Sequence, residues 1–468
     1  MPSTLPDPKR WAALALLCAA QFIVILDTSI IGVALPAIQL DLGFSPSGLS
    51  WIFNAYVIVF GGLLLLGGKL SDTFGARRMF TTGFAILAAG SLLAGLAQLQ
   101  PVLLAGRALQ GVGAALIAPS ALTILMRLFA HDGRELGRAF GFWGAAAAAG
   151  GTAGVILGGV ITEWLTWPWT FLVNVPLALA ALLASPFVLR YAAPQVGRID
   201  WLGAVTVTAA LVTGVYAVVT TEPGQWLELR TLALLGASLA LLGLFLVIQS
   251  VRREPLLPLA IFAVPNLALG NVLMALLGAA WIPLWFFLNL YLQQTLHLSA
   301  LASGLALLPM TITIMVIMVG LSGKLVAAFG LKANIVVGML AMGGALLLLA
   351  GVPADGTYVA NALPGSLLAA LGMALAYIPI TMAAMSGAKP EESGLASGIV
   401  NTTYQIGSAV GLAVMVALAA GAEASVGGAQ VDGFRAAFVG ASVLAIVGAG
   451  LALVFVSRSS ASRAVPAS

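Results

Sequence analysis

The sequence predicts an all-α integral membrane protein with fourteen transmembrane helices. Three observations predict it. Of the 468 residues, 61% are hydrophobic and only 8% are Asp, Glu, Lys or Arg, against about 25% in an ordinary soluble domain. These are too few charges to coat a soluble surface, which excludes a cytosolic enzyme, a secreted domain and a disordered chain. The apolar residues are gathered into runs of about 20 residues, the length that crosses a bilayer as a helix. The Lys and Arg residues then sort almost entirely to one side of those runs.

In order, the runs fall at roughly 11–36, 51–68, 79–98, 102–126, 139–162, 169–190, 201–221, 230–250, 266–291, 300–320, 334–352, 363–386, 396–420 and 434–457. Connectors are marked by Gly, Pro or charge, as at Asp41-Leu42-Gly43, Gln98 to Pro101, Glu222-Pro223-Gly224, Arg252-Arg253-Glu254-Pro255 and Lys389-Pro390-Glu391-Glu392. A closed β-barrel needs segments of about ten alternating residues. These runs are twice as long and do not alternate, so they are helices, the other structure that satisfies its backbone in lipid.

With the N-terminus in the cytoplasm, seventeen of the 20 basic residues lie inside: Lys9, Arg10, Lys69, Arg77, Arg78, Arg127, Arg134, Arg138, Arg190, Arg198, Arg252, Arg253, Lys324, Lys332, Lys389, Arg458 and Arg463. Arg230 and Arg435 lie outside, and Arg107 lies within a span. The acids split eight inside, seven outside and one, Asp27, within a span. A basic bias with indifferent acids is the positive-inside pattern. An odd count of spans would invert every later loop and destroy it, so both termini are expected in the cytoplasm. The same placement puts the basic residues at membrane borders, so the net charge of +4 does not imply nucleic acid. The single Cys18 excludes an intramolecular disulfide. The first run contains Asp27 and is too long for a cleaved signal, so it is expected to be retained.

The chain repeats itself. Gly68-Lys69-Leu70 with Phe74-Gly75 and Arg77 recurs 255 residues later as Gly323-Lys324-Leu325 with Phe329-Gly330 and Lys332. Both copies follow the second span of a six-helix set. The expected organisation is an N-terminal six-helix bundle over 1–190, a two-helix linker over 191–265 and a C-terminal six-helix bundle over 266–468.

Asp27 and Arg107 are the two charged residues within spans. A charge at membrane depth costs at least ~2.5–3.5 kcal/mol and is a functional candidate by default. At 1.5 Å per residue, Asp27 lies roughly 13 Å below the outer end of span 1 and Arg107 roughly 9 Å below the outer end of span 4. They can pair. Burial favours a neutral Asp27, and a nearby guanidinium favours the carboxylate. A carboxylate held between these terms can load and release a proton. The other reading is a static ion pair pinning two helices.

Other candidates are weaker. Asp72 lies between Gly68 and Gly75 beside Arg77 and Arg78, where topology accounts for the arginines but not for the acid. Asp72 can accept from Arg77 or sit at a helix N-terminus. Polar cavity candidates are Gln21, Asn54, Tyr56, Gln110, Asn271, Trp285, Asn289, Tyr377, Asn401, Tyr404 and Gln405, each of which can equally serve as an interhelical hydrogen bond. Trp164, Trp167 and Trp169 read as an interfacial belt. His131 and His297 fall in loops on opposite sides, so no metal site is expected. No phosphate-binding loop is present in the sequence, which disfavours ATP as the energy source.

Taken together, these motifs resemble the major facilitator superfamily, and within it the fourteen-span drug:proton antiporter branch. The stretch Gly68-Lys69-Leu70-Ser71-Asp72-Thr73-Phe74-Gly75-Ala76-Arg77-Arg78 is similar to that family's signature loop. Gly106-Arg107-Ala108-Leu109-Gln110-Gly111-Val112-Gly113 resembles its Arg-x-x-Gln-Gly-x-Gly motif. Leu26-Asp27-Thr28-Ser29-Ile30 with Ala34-Leu35-Pro36 resembles the branch's span 1 motif. Gly150, Gly154, Gly158 and Gly159 have the spacing of the antiporter motif, with Val155 where that motif has proline. Trp167 to Pro176 resembles its Trp-x-Trp-x-Phe-x-x-Asn-x-Pro stretch, with Pro168 in place of an arginine.

The resemblance implies the major facilitator fold and a proton-coupled efflux transporter of small lipophilic molecules working by alternating access. Asp27 would be its proton carrier, Arg107 its tuning partner, and the Asp72 loop a gating latch. It implies a bacterial cytoplasmic membrane protein, not an enzyme, that acts as a monomer without a cofactor, driven by the proton gradient. With one acid in the spans, neutral or monovalent substrates are expected. A facilitator or importer of the same fold is the alternative that Val155 leaves open. An intramembrane enzyme is a poorer fit, because one Asp with one Arg makes no catalytic constellation, and so is a sensor, which would normally be joined to a soluble output domain not expected here.

Overall fold

The computed structural model describes residues 8–45, 48–129, 133–189, 200–221, 225–253, 255–260, 266–385, 393–425 and 430–456. His131, Glu222 with its connector, Lys389 with its connector, and Arg190, Arg198, Arg458 and Arg463 lie outside the described residues. Among those described there is no strand, and fourteen helices are long and apolar enough to cross a membrane. They are α1 (Arg10–Leu42), α2 (Ser50–Phe74), α3 (Ala76–Gly95), α4 (Gln100–Phe129), α5 (Gly133–Trp164) and α6 (Trp169–Val188, broken at Val173). Then come α7 (Trp201–Thr220), α8 (Leu229–Val251), α9 (Leu267–Leu290, running into a π turn at Tyr291–Thr295) and α10 (Ala300–Met315, with a π segment at Val316–Leu321). The last four are α11 (Ser322–Ala350), α12 (Leu363–Met385, after a π turn at Tyr358–Ala362), α13 (Ser393–Ser425) and α14 (Gln430–Phe455).

Two helix ends differ from the sequence expectation. Helix α1 passes through Pro36 and ends at Leu42, where Gly43 takes a left-handed φ of 67° and donates its N–H to the Gln39 carbonyl. The residues expected to form a loop after span 2 are mostly helical, because α2 continues through Asp72 to Phe74. The break is confined to Gly75, whose φ of 96° L-residues avoid. Its repeat counterpart Gly330 has φ 77° and kinks α11 at the matching point.

The chain divides into two compact units. One comprises residues 1–258 with 292–308, the other 259–291 with 309–468. In the first unit α3 packs on α4, α1 on α5, α2 on α4, and α3 on α6. In the second, α11 packs on α12, α9 on α13, and α11 on α14. With a shift of eight helices, three of these pairs coincide, so the repeat in sequence is also a repeat in packing.

Glycines set the closest approaches. A methyl group on Gly83 would meet the Gly113 carbonyl at 2.8 Å, and one on Gly338, 255 residues on, the Gly372 carbonyl at 2.9 Å. Such approaches let helices associate in lipid, where apolar burial gives little preference for one helix neighbour over another.

The linker hairpin belongs to the first unit and is tied at its base. Asp200 caps α7 by accepting the Gly203 N–H at 2.9 Å and also accepts from Gln249 Nε2 of α8 at 2.7 Å. Gln249 Oε1 in turn accepts the Leu257 N–H at 2.9 Å.

Candidate functional site

Five helices of the first unit converge on one buried polar cluster. Asp27 on α1 and Arg107 on α4 are both fully buried, and Arg107 Nη1 donates to Asp27 Oδ2 at 2.8 Å. Arg107 and Gln110 share a face of α4 through their three-residue spacing. Nη1 also donates to Gln110 Oε1 at 2.7 Å, and Nε donates to the Ile52 carbonyl of α2 at 2.9 Å. The guanidinium carbon stands 4.5 Å from the centre of the Tyr56 ring, a cation–π contact. Gln110 Nε2 donates to Asp27 Oδ1 at 2.7 Å and to Ser91 Oγ of α3 at 2.9 Å. Asn174, at the start of the second segment of α6, donates from Nδ2 to the same Asp27 Oδ1 at 2.6 Å.

The sequence pointed to Asp27, Arg107, Gln110 and Tyr56, and the structure brings all four together. Asn54 is buried on α2 but its amide makes no hydrogen bond among the described residues. Asn174 and Ser91 were missed. Asn174 had a signal, as the lone amide in the sixth span within the Trp-rich stretch. Ser91 had none.

The glycine row of α5 explains how α1 is held. A methyl on Gly150 would meet the Phe22 carbonyl at 2.5 Å, one on Gly154 the Ser29 Cβ at 2.7 Å, and one on Gly158 the Ile30 carbonyl at 2.6 Å. These contacts run along α1 from Phe22 to Ile30 and bracket Asp27. Gly159 faces elsewhere, onto Leu301 Cα at 2.8 Å. Val155 leaves α5 a continuous helix at the position where the motif has proline.

Asp72 does not bond Arg77. It is exposed on the last turn of α2, and the cations that act on it are Arg127 and Lys69. Arg77 and Arg78 point instead, with Leu182, Leu183, Pro186 and Phe187 of α6, into a surface hollow of about 590 Å³. The α2 helix carries Asp72 past the loop position assumed from sequence, which separates it from Arg77. Of the three tryptophans read as a belt, Trp167 faces the protein interior. It is buried, and its indole N–H donates to Asp41 Oδ2 at 2.7 Å, while Trp164 and Trp169 are exposed.

In the second unit, Tyr377 and Tyr404 stack edge to face with centroids 5.6 Å apart, and the Tyr377 hydroxyl reaches Asn401 Oδ1 at 3.4 Å. Asn271 and Asn289 spend their Nδ2 groups on carbonyls of their own helix, Leu267 at 2.8 Å and Trp285 at 2.9 Å. Asn271 Oδ1 also accepts from Thr403 of α13 at 2.8 Å, so it joins two helices. Trp285 pairs with Trp281 at 6.3 Å. Gln21 and Gln405 are half-buried and do not join either cluster.

Against known proteins, residues 17–412 match the family model of the Major Facilitator Superfamily. The chain belongs to this superfamily. It is therefore a multi-pass membrane transporter rather than an enzyme. It is similar to the cephamycin export protein CmcT of Amycolatopsis lactamdurans, 37% identical over 92% of this chain and 89% of that protein. It is also similar to the puromycin resistance protein pur8 of Streptomyces alboniger, 34% identical over 90% of this chain and 84% of that protein. Among solved structures, an auto-inhibited POT family peptide transporter shares the fold, with a TM-score of 0.68 and 17% identity over 94% of this chain and 96% of that one. Of the two relatives, the first is named for antibiotic export and the second for antibiotic resistance.

Proposed function

We propose that this transporter exports small lipophilic molecules in exchange for protons, with Asp27 as the proton carrier and Arg107 as the partner that tunes it. The observation that carries the reading is a fully buried carboxylate paired with a fully buried guanidinium. Water exclusion makes this pair costly for a purely structural tie, since apolar residues of similar volume would hold two helices at least as well. The proton gradient supplies the energy, and no cofactor takes part. The chain works as a monomer in the bacterial cytoplasmic membrane with both termini in the cytoplasm, as the basic residues sort. In the second unit, Tyr377, Asn401 and Tyr404 offer aromatic faces and a few polar groups, the lining that suits a lipophilic guest. Asp27 is the one acid buried deep in a span, so substrates are neutral or singly charged.

The test is transport in proteoliposomes with an imposed proton gradient, using a panel that includes puromycin and a cephamycin, the compounds named for its relatives. Uphill accumulation should vanish with a protonophore and in Asp27→Asn, while substrate-induced thermal stabilisation of Asp27→Asn persists. Accumulation at the wild-type rate in Asp27→Asn would remove Asp27 as the coupling site. A facilitator or importer without antiport is the second reading, favoured by Val155 in place of the motif proline. It predicts flux that only equilibrates, whatever the gradient.

A further inference from the structure

Every group bonded to Asp27 is a donor. Arg107 gives one N–H to Oδ2, and Gln110 and Asn174 each give one to Oδ1. That set fits an ionised carboxylate, which accepts only. When Asp27 takes up a proton it becomes a donor itself, and an O–H among three donors has nowhere to go. One partner has to present an acceptor.

Chemistry narrows the choice. A guanidinium has no acceptor. The Gln110 amide can turn only by aiming its NH2 at the guanidinium, because its Oε1 already accepts from Arg107 at 2.7 Å. Ser91 reaches Gln110, not Asp27. Asn174 is different. Its Oδ1 is buried and makes no hydrogen bond among the described residues, while its Nδ2 lies 2.6 Å from Asp27. Turning the side-chain amide by half a revolution exchanges the two atoms in place and leaves the rest of the network intact. One amide atom is left unsatisfied in either orientation, so turning over adds no further unsatisfied group. Asn174 also opens the second segment of α6, two residues before Pro176, which has no N–H to give to the Leu172 carbonyl. Tyr56 of α2 and Arg107 of α4 are the other ionisable groups at the site, and α5 meets this part of α1 through glycines.

We propose that Asn174 is a protonation-sensing switch, whose amide donates to ionised Asp27 and turns over to accept from it once Asp27 is protonated. The proposal rests on Asp27 being the proton carrier. The proton adds to Asp27 Oδ1 and is later released from the same oxygen, and Asn174 gains and loses none. It is a positioning residue that converts the charge state of Asp27 into a change of hydrogen bonding at the start of the second segment of α6.

The test is infrared difference spectroscopy of the full chain in lipid between high and low pH, with asparagine side-chain carbonyls labelled with carbon-13. In wild type, the protonated Asp27 carboxyl band should appear together with a shift of one labelled asparagine band, and both should be lost in Asp27→Asn. In Asn174→Leu the asparagine shift should disappear, while the carboxyl band persists at a displaced frequency. Asn174→Gln removes the label from that position and gives the same assignment if Asn174→Leu does not fold. A carboxyl band with no asparagine shift, or with a shift that survives in these variants, overturns the switch alone. Absence of any pH-dependent carboxyl band that Asp27→Asn removes overturns the proton-carrier reading beneath it.

Discussion

Removing the two charges one at a time and then together should give unequal results. In Asp27→Leu, Arg107 keeps its bonds to the Ile52 carbonyl at 2.9 Å and Gln110 Oε1 at 2.7 Å, but both acceptors are neutral. Arginine cannot shed its proton, so a full charge stays buried and uncompensated. Breaking a buried pair in this way costs about 3–5 kcal/mol. Asn174 Nδ2 also loses its acceptor, a further ~1–3 kcal/mol. In Arg107→Leu, Asp27 keeps two donors and can neutralise itself by taking up a proton, so the loss should be nearer the ~1–3 kcal/mol of an unsatisfied group. The double variant buries two leucines and should recover most of what Asp27→Leu lost. The assay is thermal unfolding of the four proteins in one detergent. Asp27→Leu should melt lowest, and the double variant above it. Losses that simply add would mean that the two side chains do not interact, and the geometry described above would be wrong.

Three further outcomes are expected. Gly158→Val should lower the melting temperature by an amount corresponding to ~1–3 kcal/mol, because its Cβ would meet the Ile30 carbonyl at 2.6 Å, whereas Gly151→Ala, with 3.8 Å of room, should not. Equal melting of the two would show that α5 does not hold α1 through these glycines. Asp72→Asn and Arg127→Gln should each slow transport and leave substrate-induced stabilisation unchanged, since Arg127 is a cation acting on Asp72; unaltered rates in both would reduce the acid to a bystander. In cells lacking their own pumps, the transporter should protect against monovalent quaternary ammonium compounds better than against bivalent ones of matched hydrophobicity. The exposed Glu163 is held by Ser299 Oγ at 2.6 Å and the Leu301 N–H at 2.8 Å, so it is not spare for a second charge; equal protection would contradict this.

The fold was legible because its causes are one-dimensional. Run length, basic asymmetry and the 255-residue repeat each follow from crossing a bilayer, and none depends on tertiary detail. The Asp27–Arg107 pair was legible for a related reason: helical rise converts sequence position into depth, and two opposite charges at similar depth find each other. What sequence could not supply was rotation about each helix axis. Asn174 lies in a stretch quoted for its motif, and nothing in its position along the chain says that its amide faces Asp27. The same blindness put Asp72 in a loop beside Arg77, when α2 carries it to the neighbourhood of Arg127 and Lys69. Nor could sequence show that Trp167, read as part of an interfacial belt, is buried with its indole N–H on Asp41.

Gly75 and Gly330 carry the same unusual backbone, yet little chemistry around them is shared. Asp72 has Ala327 as its counterpart, and Arg77 has Lys332. A methyl group on Gly330 would touch nothing within 4 Å, so neither packing nor charge requires glycine there. Handedness does: φ 77° with ψ 168° lies in a region essentially reserved for glycine. The two halves have thus kept a common joint while their side chains took up different trades. The chain has two copies of one bend, and only the first has an acid beside it.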